Sequence, residues 1–330
     1  YWAAGVNDVL TVDQHDKWKH YRLALHCRLD PFSGRMHWMK VWHNNNNPKL
    51  IAGYYLDFVE EIRGIPMITQ SDPGSENYRL TNAHTALRQI HDPSLQGMLQ
   101  HCWMCQKKNV MPEIAWSQMQ ARFAPNYEDL LEEGVRKEWY DVNNDLDKLL
   151  FRWLFIPWLQ RKINYYISLV NNKRKRKDKN KILPHGVPED IFWELEQYRA
   201  CDFKVAVDLE VVKQVQDIYA PPGDPVFQLV LPDFNCLVKT LYASMGHPEV
   251  DMDSVWDIFC GLQFHLDHVD KVVAQIEAWG SVKVSIEEGR DANNELGTDL
   301  QDQGYLHINS QGDFFIDGAY VMHSRPHSIP

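Results

Sequence analysis

Cysteine is scarce in this chain of 330 residues: six, at Cys27, Cys102, Cys105, Cys201, Cys236 and Cys260. Scattered single cysteines without a secretory context exclude a disulfide framework. The one Cys-x-x-Cys, Cys102 to Cys105 behind His101, has no second pair at finger spacing, and a structural zinc needs four ligands. Two reduced thiols beside the core are expected instead. Long apolar runs are missing as well. The most hydrophobic stretch, 149–159, is broken by Arg152 and Pro157, well short of the ~18 residues of a membrane span. No basic-then-apolar leader precedes the first residues, and the start at Tyr1 reads as a piece of a longer protein. No internal repeat is present. Positive charge is thin in the second half: residues 183–330 hold 8 Lys+Arg and 25 Asp+Glu, against 26 and 20 in 1–182. The net charge of −11 therefore divides into +6 and −17. A mildly basic front and an acidic back suit a nucleic-acid-binding core with an acidic extension, or with a solubilising domain that has no partner.

What is present is enough for a packed core. Apolar residues make up 44% of the chain and aromatics 12%, which excludes global disorder. Strands are expected at 9–13, 21–29 and 36–42, the last two joined as a hairpin by the turn Pro31-Phe32-Ser33-Gly34. A helix follows from Pro48 to about Ile62, with Ile51, Tyr54, Tyr55, Phe58 and Ile62 at helical spacing. Then come a strand before Asp72, a helix over 77–91 and a short strand over 98–103. From Pro112 the pattern turns helical: 112–123, 126–133, 144–150 and 151–172. Beyond Val187 the expected elements are a helix over 188–199, a strand over 203–209, a helix over 211–219 and a helix pair over 251–276. The core candidates of that pair are Val255, Ile258, Phe259, Leu262, Phe264, Leu266 and Val269. Three units result: a core over 1–182, a mainly helical acidic extension over 183–286, and a loop-rich, partly disordered tail over 287–330.

Three carboxylates stand out. Asp13 lies in the β-branched run Val9-Leu10-Thr11-Val12-Asp13. Asp72 ends an apolar strand and enters the turn Pro73-Gly74-Ser75-Glu76-Asn77. Glu113 follows Pro112, a residue suited to the first position of a helix, so it falls in the first turn. A strand, a strand end and a helix start bring three acids together across one sheet edge. Such a cluster is costly at neutral pH unless cations neutralise it, and two Mg²⁺ ions are the usual answer in phosphoryl transfer. Each acid also has a plain reading, a turn cap or a helix-start acid favoured by the macrodipole. Asp16 is an alternative to Asp13 as the first acid. Glu76 is expected to orient or pair rather than bind metal, and Gly74 to serve the backbone conformation of the turn.

The motifs Thr11-Val12-Asp13-Gln14-His15-Asp16, Gln70-Ser71-Asp72-Pro73-Gly74-Ser75-Glu76-Asn77 and Pro112-Glu113-Ile114-Ala115-Trp116 resemble those of DDE-type integrase and transposase cores. The spacings of 59 (72 − 13) and 41 (113 − 72) suit that family. The chain is most similar to fungal transposon-related integrase core domain proteins, which also carry the segment seen here as Leu183 to Pro188. The resemblance covers roughly residues 8 to 195. It implies an α/β, ribonuclease-H-like mixed sheet with flanking helices, followed here by the acidic helical extension. It also implies Asp13, Asp72 and Glu113 as catalytic metal ligands for two Mg²⁺ (or Mn²⁺) ions. The partners implied are DNA, as element ends and target, and further copies of the chain in a homo-oligomer. The setting implied is the nucleus, with no membrane.

Outside the trio, His15, His84 and His101 are candidate base or neighbouring residues, though a two-metal site needs no histidine. Lys107 and Lys108, just upstream of Glu113, lie where the resemblance places backbone-binding cations. Lys173, Arg174, Lys175, Arg176 and Lys177 open the only strongly basic run, seven of nine residues from 173 to 181. It reads as a phosphate-contacting segment, a solvated loop or a nuclear-localisation signal. Two rival functions stand beside DNA integration: a domesticated, inactive DNA-binding host protein, and a nuclease for RNA–DNA hybrids, which normally needs a fourth carboxylate.

Overall fold

The structure is a computed structural model that describes residues 3–104, 109–177 and 182–267, together with short strands at His307–Ile308, Phe314–Ile316 and Ala319–Tyr320. The chain opens with β1 (Val9–His15), β2 (Ala24–Asp30) and β3 (Arg35–Trp42), an antiparallel meander. Helix α1 (Pro48–Ile62) begins with Pro48 at its first position, behind an Asn47 side chain that accepts from the Lys49 amide. After β4 (Gly64–Ile65) comes β5 (Ile68–Ser71), which returns parallel to β1. Helix α2 (Tyr78–His91) then leads to β6 (His101–Trp103), parallel to β5. The main sheet runs β3-β2-β1-β5-β6, the mixed five-stranded arrangement expected of a ribonuclease-H-like core.

Alternation along the strands sends side chains to two apolar layers. Leu10 and Val12 of β1 join Ile51, Tyr55 and Phe58 of α1 with Leu80, Ala83 and Leu87 of α2. On the opposite face Leu25, Cys27 and Met39 pack under α3 (Val110–Arg122), α4 (Ala124–Arg136) and α5 (Asp145–Asn171). Helix α5 is a single element of 27 residues, about 40 Å long, where the sequence pattern reads two helices meeting at 150/151. An interior proline costs a helix ~3 kcal/mol. Here Pro157 is only partly buried, and both flanking stretches are held in the core: Leu149 and Leu150 before it, Trp158 and Leu159 after it. Tertiary burial keeps the helix whole.

The acidic extension packs onto both layers. Helix α6 (Pro188–Trp193) is tied to β3 by Arg35 and Glu189, whose two hydrogen bonds span 2.8 and 3.1 Å. Strand β7 is short (Val205–Ala206) and pairs with β4, narrower than the expected 203–209. Helix α7 (Leu209–Tyr219) places Val212 and Val215 in the α1/α2 layer. Helix α8 (Pro232–Ser244), for which the expected elements have no counterpart, and α9 (Val255–Leu266) pack in the α5 layer. Of the candidates over 255–266, Phe264 is 64% exposed while Val255, Ile258, Phe259, Leu262 and Leu266 are buried. The second helix of the expected pair, with Val269, and the tail apart from its three short strands lie outside the described residues. Among the described residues no helix is long and apolar enough to cross a membrane.

Candidate active site

Asp13 sits inside β1, which runs two residues further than the sequence suggests. Its register partner is Cys27, so its side chain faces the α3 layer. There Trp116 Nε1 donates to Asp13 Oδ2 at 2.9 Å. Burial lifts the Asp13 carboxyl to about 7; the Trp116 bond pulls it down, and the negative charges of Asp72 and Glu113 push it back up. Asp72, directly after β5, is also raised, by burial and then by the charge of Glu113. Glu113 lies in the first turn of α3, which starts at Val110, two residues before Pro112. The three acids therefore feel one another, as three elements meeting at one sheet edge should.

They form an open set. Among the described residues no three His, Cys, Asp or Glu side chains close on a common point as an ion cage would. Asp13, Glu113, His15, Lys17, Trp116 and Gln120 line a cleft of about 480 Å³. Two features of these residues are compatible with a hard cation. The donors are carboxylate oxygens, which Mg²⁺ prefers. And Asp72 Oδ1 is buried with no hydrogen-bond partner, an oxygen with unused acceptor capacity.

The alternatives to the trio fall elsewhere. Asp16 is 48% exposed and pairs with Lys19 at 2.5 Å. Glu76 is half-buried, accepts from Asn77 Nδ2 at 3.0 Å, and has its carboxyl raised by burial and by the nearby charge of Asp16. Gly74 has φ −168°, extended backbone open to any residue. An added Cβ would fall 2.0 Å from Glu76 Oε1, the movable end of a flexible side chain. The backbone-conformation reading of Gly74 is thus corrected: neither its φ nor rigid packing demands glycine.

His84 is a core residue, 2.7 Å from Tyr55 Oη, and His101 lies 2.8 Å from Thr69 Oγ1 and 3.2 Å from Ser71 Oγ. Burial keeps both imidazoles neutral. His15 alone reaches the cleft, stacked on Trp116 at 4.8 Å between ring centroids and held below its usual pKa by burial. Cys102 is exposed, against the expectation of a half-buried thiol, while Cys105, Lys107 and Lys108 lie outside the described residues.

One residue that sequence reasoning passes over organises the edge. Asn109, fully buried, donates from Nδ2 to Val12 O at 2.9 Å and accepts from Gln70 Nε2 at 3.2 Å. Val12 precedes Asp13, Gln70 lies two residues before Asp72, and Asn109 opens the helix of Glu113. A single amide thus ties the three acid-bearing elements together. Asn109 stands at the N-cap of α3, yet its side chain makes no capping bond and goes to the strands instead. Trp116 had a sequence signal, since it lies three residues after Glu113 and shares its helix face.

The basic run forms a second cleft. Lys173, Arg174, Lys175, Arg176 and Lys177 line about 570 Å³ with Gln118 and Arg122 of α3. The segment is fastened, since the Lys175 amide donates to Gly186 O at 3.1 Å and its Nζ to Gly34 O at 2.9 Å. Lys175 is therefore an anchor of the run.

A family model described as integrase core domain matches residues 1–197. With this span covering more than half of the 330 residues, the chain belongs to the integrase core domain family. No curated protein is similar enough to count as a relative.

Proposed function

We propose that this chain is a transposon-derived integrase that cuts DNA strands and joins them to a target. The carrying observation is the mutual electrostatic reach of Asp13, Asp72 and Glu113 at one sheet edge, with Asp72 Oδ1 buried and unsatisfied. Asp13, Asp72 and Glu113 would hold two Mg²⁺ (or Mn²⁺) ions, which supply activation of an attacking hydroxyl and charge for the departing 3′-oxygen. Trp116 fixes Oδ2 of Asp13 and leaves its other oxygen for a ligand. Asp13, held near neutral pKa, must give up its proton to serve as a ligand. Asn109 holds β1, β5 and the start of α3 in one geometry. Lys173, Arg174, Arg176 and Lys177 contact phosphates, with Lys107 and Lys108 as further candidates. Copies of the chain act together on paired DNA ends, in the nucleus.

The test is an assay of nicking and strand transfer with Mg²⁺ or Mn²⁺, on duplex DNA and on RNA–DNA hybrid, for wild type and Glu113→Gln. Metal-dependent nicking and joining of DNA, lost in Glu113→Gln, is the expected result. DNA binding without any cleavage would replace it with an inactive host protein, and cleavage confined to the hybrid with a nuclease.

A further inference from the structure

The acid edge has a neighbour of opposite charge. Register pairs His15 with Leu25 and Ala24 with Trp42, so His43, after β3, lies at the same end of the sheet as Asp13 and His15. Asp13 pairs with Cys27 and Cys27 with Met39, so His43 is displaced by two strands at ~4.8 Å each and by four residues along them, in all roughly 17 Å from Asp13. At that place Lys19, Arg22, His43, Asn44, Asn46 and Arg152 line a cleft of about 270 Å³, with no carboxylate among the lining residues.

The site is built from the fold rather than from mobile surface cations. Arg152 is 2% exposed on α5, and its charge helps keep the buried His43 ring neutral, second to burial itself. Arg22 is held by its own Nε, which donates to Val142 O at 3.2 Å, and by the turn at 19–21 that it terminates. Lys19 is ion-paired with Asp16, which is not among the lining residues. Arg22 and Arg152 bring two formal positive charges to the lining and Lys19 a third that Asp16 partly offsets, around a space that suits one phosphate group and its sugar, too small for a duplex. Two asparagines add neutral amides to the same wall.

We infer that this cleft is a phosphate-binding site, and that its phosphate belongs to the DNA strand lying across the acid edge. The separation of roughly 17 Å corresponds to about five nucleotides at ~3.4 Å rise. The DNA source rests on the function proposed above; the phosphate chemistry does not. In contrast to the run at 173–177, which flanks the far end of α3, this cleft would hold the strand on the β1–β2 side.

The test uses the full chain and the exposed members, since Arg152 sits in the core. The double variant Lys19→Gln/Arg22→Gln is compared with Lys137→Gln/Lys213→Gln, which removes the same charge elsewhere. For each, the affinity for a 20-base-pair duplex is measured by fluorescence anisotropy from 50 to 200 mM salt, and melting is followed with and without 10 mM inorganic phosphate at constant ionic strength. The expected result is a log–log salt slope lowered by one to two units in Lys19→Gln/Arg22→Gln alone, about one for each phosphate no longer neutralised. Phosphate should raise melting in wild type and less in that variant. A phosphate effect with an unchanged salt slope would keep the site and assign it to free phosphate, overturning the DNA source. Equal slopes together with equal phosphate responses would overturn the site altogether. Should wild type bind no duplex, the integrase reading fails, and the cleft stands or falls on the phosphate response.

Discussion

Two aspartates at opposite ends of the same sheet, Asp30 buried and Asp72 half-buried, have opposite fates. Asp30, at the end of β2, is 1% exposed and fully engaged: it accepts from the Asn7 amide at 3.0 Å, the Ser33 amide at 2.8 Å and Ser33 Oγ at 2.6 Å. The buried Arg28 adds its charge, lowering the carboxyl that burial otherwise raises. Asp72 has a buried oxygen with no partner, and its charged neighbour in the site is another acid. A structural carboxylate is surrounded by donors, because an unmet buried acceptor costs ~1–3 kcal/mol. At Asp72 Oδ1 the fold leaves that cost standing, and under the proposed function a cation supplies the missing partner.

The sharpest test of that contrast exchanges the two roles. Asp72→Asn should reduce metal-dependent nicking by more than about 100-fold, since even residues that merely orient metal ligands cost 10–100-fold. It should leave melting unchanged or higher. Asp30→Ala should do the reverse, lowering stability by about 3 kcal/mol as three donors and Arg28 lose their acceptor. Comparable destabilisation by both substitutions, read from urea unfolding, would break the comparison.

Next in size is the pH dependence set by Asp13. Its carboxyl titrates near 7 in the folded chain against an ordinary 3.8, so the folded state holds the proton more tightly. The associated stability is fully present below about pH 4 and is lost as pH rises through 7, on the order of 4 kcal/mol. Asp13→Asn should flatten the metal-free melting profile over that window. Mg²⁺ should stabilise wild type more at pH 8 than at pH 6, because its ligand must be deprotonated. A melting profile that Asp13→Asn leaves unaltered would remove Asp13 from the cluster.

A smaller effect is expected at Asn109. Asn109→Ala frees the start of α3 from both strands and should lower the nicking rate about tenfold, with DNA affinity unchanged. Single-turnover kinetics beside anisotropy would separate the two, and an unchanged rate would make the amide merely structural. The smallest effect concerns the basic run. Replacing Lys173, Arg174, Arg176 and Lys177 by Ala should flatten the salt dependence of DNA affinity, by up to about one unit for each phosphate left without its cation. Lys175→Ala alone should change melting more than the slope, given its bond to Gly34.

The order of strands and helices through α4 could be read along the chain, because hydrophobic period and Pro/Gly punctuation are local signals. The hairpin turn at Pro31–Gly34, the start of α1 at Pro48 and the strand leading to Asp72 all follow from residues within a few positions. The settings of Asp13, Asp72 and Glu113, in a strand, directly after a strand and in a first helical turn, were legible, while the cation read from their type belongs to the proposed function. What local pattern could not carry was any outcome settled by partners distant in sequence. Pro157 stays inside one helix because residues on both sides of it are buried. Phe264 faces outward at a helical position the pattern assigns to the core, whereas α8 had a local signal that was passed over, since Phe234, Leu237, Val238, Leu241 and Tyr242 recur at helical spacing and pack in the α5 layer. Asn109 carries no local signal, because Val12, which accepts from its amide, lies 97 residues earlier. The cleft at Arg152 gathers charges from residues 19, 22 and 152. Residue types and their periodicity determined which elements form and which groups hold charge. Burial across the folded sheet decided which of those groups are satisfied and which remain open to a ligand.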